Sequence, residues 1–122
     1  MTVVLLIDDA PGMEKLVDMC LHGTGARVIR AHGTSEAVEV ARRDPPSVVL
    51  LDLALEGEDG LEGLPGLRNE PALAMVPVVG FSVHGSREQE ARALGVVGFV
   101  RKPFRMAALR DAVVPLLGPE EG

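Results

Sequence analysis

The chain has 122 residues, 47% of them hydrophobic and 25% charged, which gives one ordinary globular domain with room for a real core. A formal net charge of −6 argues against sequence-independent nucleic-acid binding, which relies on clustered Lys and Arg, and no apolar stretch approaches the ~20 residues that a membrane span needs. Cys20 is the only cysteine and Met1-Thr2-Val3 carries no basic leader, so a cytoplasmic domain without disulfides is expected.

Taken in chain order, strand and helix signals alternate five times. Val3-Val4-Leu5-Leu6-Ile7 is an aliphatic run that ends at Asp8-Asp9. Runs of four or five such residues bounded by turn residues predict buried parallel strands. Pro11-Gly12 then opens a segment with Met13, Leu16, Val17, Cys20 and Leu21 at helical spacing, stopped by Gly23-Thr24-Gly25. A short strand over Arg27–Ala31 follows. The next helix is expected from about Ser35 to Arg43, with Ala37, Val40 and Ala41 inward and Pro45-Pro46 ending it. Val48-Val49-Leu50-Leu51 runs into Asp52 as the third strand.

The third helix is the weak one. Gly60, Gly63 and Gly66 are poor helix residues, and Pro65 would clash with the Leu61 carbonyl, so a short or broken helix is expected. Val78-Val79-Gly80-Phe81 then leads to Ser82. Ser86 with Gln89 reads as a capping box for a fourth helix that Gly95 closes. Val96–Val100 leads to Lys102-Pro103, and Met106, Leu109, Val113, Leu116 and Leu117 mark a last helix that Pro115 bends or ends early. Residues 1–118 then form the domain and 119–122 a frayed tail. No second domain follows, which leaves either a module that works alone or one cut from a longer chain.

This alternation predicts an α/β fold: a doubly wound, five-stranded parallel sheet with right-handed crossovers and helices on both faces. In such sheets ligands bind outside the carboxyl ends of the strands. Asp8, Asp9, Asp52, Ser82 and Lys102 should therefore converge on one crevice. Three carboxylates so placed repel one another unless a pKa rises or a cation neutralises them, and a hard divalent ion such as Mg²⁺ suits an all-oxygen cluster.

The ordered set of Asp8-Asp9, Asp52, Ser82 and Lys102-Pro103, each at the end of a predicted strand, resembles the receiver domain of two-component response regulators, from Met1 to about Leu117. The resemblance implies the flavodoxin-like strand order 2-1-3-4-5. It also implies Asp52 as phospho-acceptor, with Asp9, Asp52 and the Ala54 carbonyl on Mg²⁺ and Asp8 acting through a metal-bound water. Lys102 and Ser82 would stabilise the phosphoryl group, and the Lys102-Pro103 bond is commonly cis in the family. Ser82 with Phe99 would form the switch, while Val83 and His84 would modulate access and dephosphorylation. The donor would be a histidine kinase or a histidine phosphotransfer protein. A downstream partner or a second copy would bind residues 86–117, with no direct nucleic acid and no membrane insertion. The domain is expected to signal rather than to work as an enzyme.

Three departures from the family stand out. Leu55 and Glu56 replace a frequent Met-Pro, so the loop from Leu55 to Gly60 should be more mobile. Val83 stands where Ala or Gly is usual, and the third helix is rich in glycine. Glu56, Glu58 and Asp59 read as a solvated acidic loop, though Glu56 could reach the metal, and His22 and His32 as surface residues. The alternative function is a pseudo-receiver, an interaction module with little phosphotransfer, although every acidic residue and the lysine are present. An aspartate-nucleophile phosphatase generally needs a second Asp two residues after the nucleophile. Ala54, Ala10 and Pro11 occupy those places. A flavin domain is disfavoured because three aspartates would repel its phosphate.

Overall fold

In a computed structural model that describes residues 2–83 and 85–117, the apolar runs assemble into one parallel sheet. Its strands are β1 (Val3–Ile7), β2 (Arg27–Ala31), β3 (Val48–Asp52), β4 (Val78–Ser82) and β5 (Gly98–Arg101). They run in the order β2-β1-β3-β4-β5, the expected doubly wound arrangement. Helices α1 (Met13–Cys20), α2 (Thr34–Arg43), α3 (Gly60–Arg68), α4 (Glu88–Ala93) and α5 (Met106–Val113) return the chain across the two faces.

The two-residue period of the strands divides the core. Leu5, Ile7, Val49, Leu51 and Val78 pack with residues of α2, α3 and α4. Val4, Leu6, Val48, Leu50, Val79, Phe81 and Val100 pack with Val17 and Cys20 of α1 and Leu109 and Val113 of α5. Because β1 and β3 are buried on both faces, neither shows polar alternation. Ile7 lies opposite Leu51, so the residues that follow each, Asp8 and Asp52, emerge side by side.

Four local expectations are corrected. First, α3 is one continuous helix through Pro65. Burying Leu61, Leu64 and Leu67 is worth ~1.5–3 kcal/mol each, enough to offset ~1 kcal/mol per helical Gly and ~3 for Pro. Asp59 also caps the helix, accepting the Leu61 N–H at 2.9 Å. Two of its glycines are close-approach residues: a Cβ on Gly60 would meet the Asp52 carbonyl oxygen, and one on Gly63 would lie 2.5 Å from Thr34 Cγ2.

Second, the segment after β3 is not a loose loop. Ala54–Leu55 pairs antiparallel with Glu58–Asp59, with Gly57 at φ +79° in the turn. Third, Ser86 makes no capping box: it lies in a 3₁₀ turn (Gly85–Arg87), and α4 starts with no side-chain cap. Fourth, the last strand begins at Gly98 rather than Val96. The last helix does end early, in a 3₁₀ turn (Val114–Leu116) that contains Pro115. His84 and the tail from 118 onward lie outside the described residues.

Candidate functional site

The carboxyl ends of β1, β3 and β4, and the residue after β5, meet at one edge of the sheet. Asp8 and Asp52 are 0% and 3% exposed, and one carboxylate oxygen from each of Asp8, Asp9 and Asp52 lies within 4.8 Å of the others. Lys102 reaches the same cluster. Its Nζ donates to Asp52 Oδ2 at 3.1 Å, lies 3.7 Å from Asp8 Oδ2 and sits 4.7 Å above the centre of the Phe81 ring. The Lys102–Pro103 bond is cis. The Lys102 N–H donates to the Ser82 carbonyl at 2.9 Å, which joins the β4 and β5 ends at the crevice.

Each carboxylate is oriented by a backbone N–H. Asp52 Oδ1 accepts from Ala54 at 2.9 Å, Asp8 Oδ1 from Ala10 at 2.6 Å, and Asp9 Oδ2 from Glu56. Asp8 Oδ2 is different: it is buried without a hydrogen-bond partner among the described residues. Burial pushes the Asp8 carboxyl up from its ordinary value; the Ala10 N–H and Lys102 pull it down, and the charges of Asp52 and Asp9 add to the rise. Three converging carboxylates, one of them with an oxygen orphaned in the interior, are a donor set suited to a hard divalent cation.

Of the remaining predicted residues, Ser82 and Val83 lie at the same edge. Ser82 is 1% exposed at the end of β4, and Val83 directly after it is 58% exposed. Phe99 on β5 is half-buried and packs against the core face that α2, α3 and α4 cover. Ala54 is exposed in the hairpin after Asp52, and His22 and His32 are exposed, with His32 Nδ1 3.1 Å from Glu36 Oε2. Glu56 is also exposed, and its backbone N–H, not its side chain, is what reaches the acidic cluster.

The acidic loop is not simply solvated. Glu58 accepts from the Thr34 N–H and the Thr34 hydroxyl, both at 2.8 Å, and so supplies the side-chain cap that Gly33 cannot give α2. Asp59 caps α3 and pairs with Arg87 at 2.9 Å, just ahead of α4. Burial pushes the Asp59 carboxyl up, but hydrogen bonds from Arg87 and the Leu61 N–H outweigh it and hold the carboxyl below its ordinary value. Arg30 on β2 donates to the carbonyls of Asp8 and Ala10. Apart from the Asp59 cap on α3, sequence spacing carries no signal for these contacts, because each joins residues from different elements across the fold.

A flavodoxin-like strand order with an acidic cluster at its carboxyl edge is the CheY-like receiver fold. The family follows from the sequence itself: residues 4–114 match the response regulator receiver domain, and the chain belongs to that family. It is 37% identical over 119 residues to the transcriptional regulatory protein KdpE of Mycobacterium tuberculosis, covering 93% of this chain and 51% of that protein. Thus the chain spans about half the length of that relative. It is 29% identical over 112 residues to sporulation initiation phosphotransferase F of Bacillus subtilis, covering 90% of this chain and 89% of that one. Among solved structures, the receiver domain of NtrX from Brucella abortus superposes with a TM-score of 0.82 at 29% identity, over 93% of this chain and 97% of that one. Chemotaxis protein CheY4 of Vibrio cholerae gives 0.84 at 24% identity, over 96% and 99%, a likeness of fold. None of the described helices is long and apolar enough to cross a membrane.

Proposed function

We propose that this receiver domain is a phosphorylation-dependent switch that accepts a phosphoryl group on Asp52, with Mg²⁺, from a histidine kinase or a histidine phosphotransfer protein. The observation that carries the reading is the position of Lys102 Nζ between Asp52 and Asp8, beside a buried Asp8 oxygen that has no hydrogen-bond partner among the described residues. An Asp52 oxygen attacks the phosphorus; the new O–P bond forms as the donor N–P bond breaks, and its electron pair returns to the imidazole nitrogen. Such transfer needs positioning and positive charge more than covalent chemistry. Asp8, Asp9, Asp52 and the Ala54 carbonyl would hold Mg²⁺, which would supply part of that charge. Lys102 supplies the rest by shifting from Asp52 to a phosphoryl oxygen.

Ser82 ends β4 beside this position, and its hydroxyl is the group that follows the phosphoryl oxygens. Phe99 lies across from Gly80 on the neighbouring strand, half-buried already. Movement of Ser82 therefore alters the space for the Phe99 ring and, through it, the surface of residues 86–117, where a protein partner or a second copy docks. A difference of a few kcal/mol between the two states shifts their populations by roughly 100-fold. The domain spans residues 1–118, with 119–122 as a tail, and works in the cytoplasm.

Incubation with acetyl phosphate and Mg²⁺ should add one phosphoryl mass, lost in Asp52→Asn and in the presence of chelator. Equal labelling of wild type and Asp52→Asn sinks the proposal, and no labelling of either leaves the chain a pseudo-receiver. Val83 refines it. Its exposed side chain follows Ser82 at the crevice mouth, where it narrows access to Asp52. Val83→Ala should speed both acetyl phosphate labelling and autodephosphorylation without changing Mg²⁺ affinity. Unchanged or slower rates would mean that the side chain points away.

A further inference from the structure

We infer that Arg30 is a positioning residue for the metal site: its guanidinium forms a fork that holds the Asp8–Ala10 segment in cation-binding shape. The inference rests on the Mg²⁺ site proposed above and adds a residue on the edge strand that binds nothing itself. Arg30 Nε donates to the Asp8 carbonyl at 3.0 Å, and Nη2 donates to the Ala10 carbonyl at 3.3 Å. Meanwhile the Asp8 N–H donates to the Ala31 carbonyl at 3.0 Å. Both polar backbone groups of Asp8 are thus tied to β2. Asp9 is strung between two clamped carbonyls, so the fork limits where its carboxylate can point.

The Ala10 N–H on Asp8 Oδ1 and the Glu56 N–H on Asp9 Oδ2 restrain the carboxylates of this segment, and the Arg30 fork restrains its carbonyls. The segment leaves β1 after Ile7 and is followed by Pro11, which has no N–H, and by Gly12 at φ +82°, where the chain turns into α1 with no side-chain cap. Like charges on Asp8, Asp9 and Asp52 push such a segment apart when no cation is bound. Arg30 makes no ion pair within 4.0 Å among the described residues, whereas Arg27, Arg42, Arg87 and Arg92 each pair with a carboxylate. Its role is therefore one of geometry. Two parallel N–H donors in a planar fork can span two carbonyls, and a lysine ammonium on a flexible stem cannot hold both in one arrangement. Residues that orient metal ligands from outside the coordination sphere commonly change affinity by about 10- to 100-fold when removed.

The test compares wild type with Arg30→Met and Arg30→Lys. Both variants should bind Mg²⁺ about tenfold more weakly by titration calorimetry, yet reach a labelling rate within about twofold of wild type once Mg²⁺ saturates. Without metal, both should show faster amide hydrogen exchange over residues 9–13 and unchanged exchange over α3. A merely destabilised fold would instead raise exchange everywhere and leave the affinity alone, overturning the inference. Wild-type affinity in Arg30→Lys would overturn it too, because charge would then suffice. An unchanged affinity in both variants, with wild type labelling normally, overturns the Arg30 role alone. A wild type that neither binds Mg²⁺ nor labels overturns this inference together with the function beneath it.

Discussion

Lys102→Met is expected to slow phosphoryl transfer to Asp52 by at least about 100-fold, the usual cost of deleting one preorganised charge partner at the reacting group. Lys102 Nζ is the cation that approaches Asp52 Oδ2 and Asp8 Oδ2, at 3.1 and 3.7 Å, and methionine keeps much of the stem's bulk over Phe81 while removing the charge. The same change should make metal-free stability more sensitive to pH. Burial already raises the Asp8 carboxyl above 3.8 and Lys102 draws it down, so the variant carries Asp8 higher still. A carboxyl raised in the folded state contributes stability below its unfolded value of 3.8, and that contribution is lost as pH rises through the folded value. Urea midpoints in chelator should therefore fall more steeply for Lys102→Met than for wild type as pH rises above the ordinary value of 3.8. Asp59, held below its ordinary value, works in the opposite sense: it adds stability above the unfolded value that is lost as pH falls. It does so in both proteins and cancels from the difference. Labelling at the wild-type rate, or parallel pH curves, would remove Lys102 from the charge balance of the crevice.

Gly60→Ala should cost about 3 kcal/mol or more, the upper range for overpacking a site that cannot yield. The added Cβ would collide with the Asp52 carbonyl oxygen and come within 3.0 Å of Leu53 Cα, both of them backbone. Relief would require moving the strand end that carries Asp52, so Mg²⁺ binding should weaken along with the fold. Gly66→Ala is the matched control. Gly66 is exposed on the same helix, and a methyl group added there would meet nothing within 4 Å. Alanine at that position should stabilise by ~0.5–1 kcal/mol through helix propensity. Urea unfolding of the pair checks both signs. If Gly60→Ala is neutral, the helix start is soft and the glycine reflects sequence drift rather than close approach.

Local pattern was enough to determine the architecture and which polar residues would share the carboxyl edge of the sheet. Aliphatic runs at Val3–Ile7, Val48–Leu51 and Val78–Phe81 are legible as buried strands because a strand covered on both faces needs apolar residues throughout. With helices between them, the parallel order places their carboxyl ends together, so Asp8, Asp9, Asp52, Ser82 and Lys102 could be gathered into one site before any coordinates. Tertiary structure alone decided the rest. Propensity argued for a broken third helix, yet three leucines seated against the sheet keep it whole through Pro65. Its glycines looked like weaknesses; Gly60 and Gly63 prove to be places where backbone or Thr34 comes too close for a methyl group. Beyond the Asp59 cap on α3, Glu58, Asp59 and Arg30 carry no local sign of a partner, and each holds a distant element: Thr34 of α2, Arg87 ahead of α4, and the Asp8–Ala10 segment. Hydrophobic periodicity reports which face of an element is buried. It carries no information on which polar side chain meets which group on a distant element, because those partners are set by how the packed elements happen to sit in space.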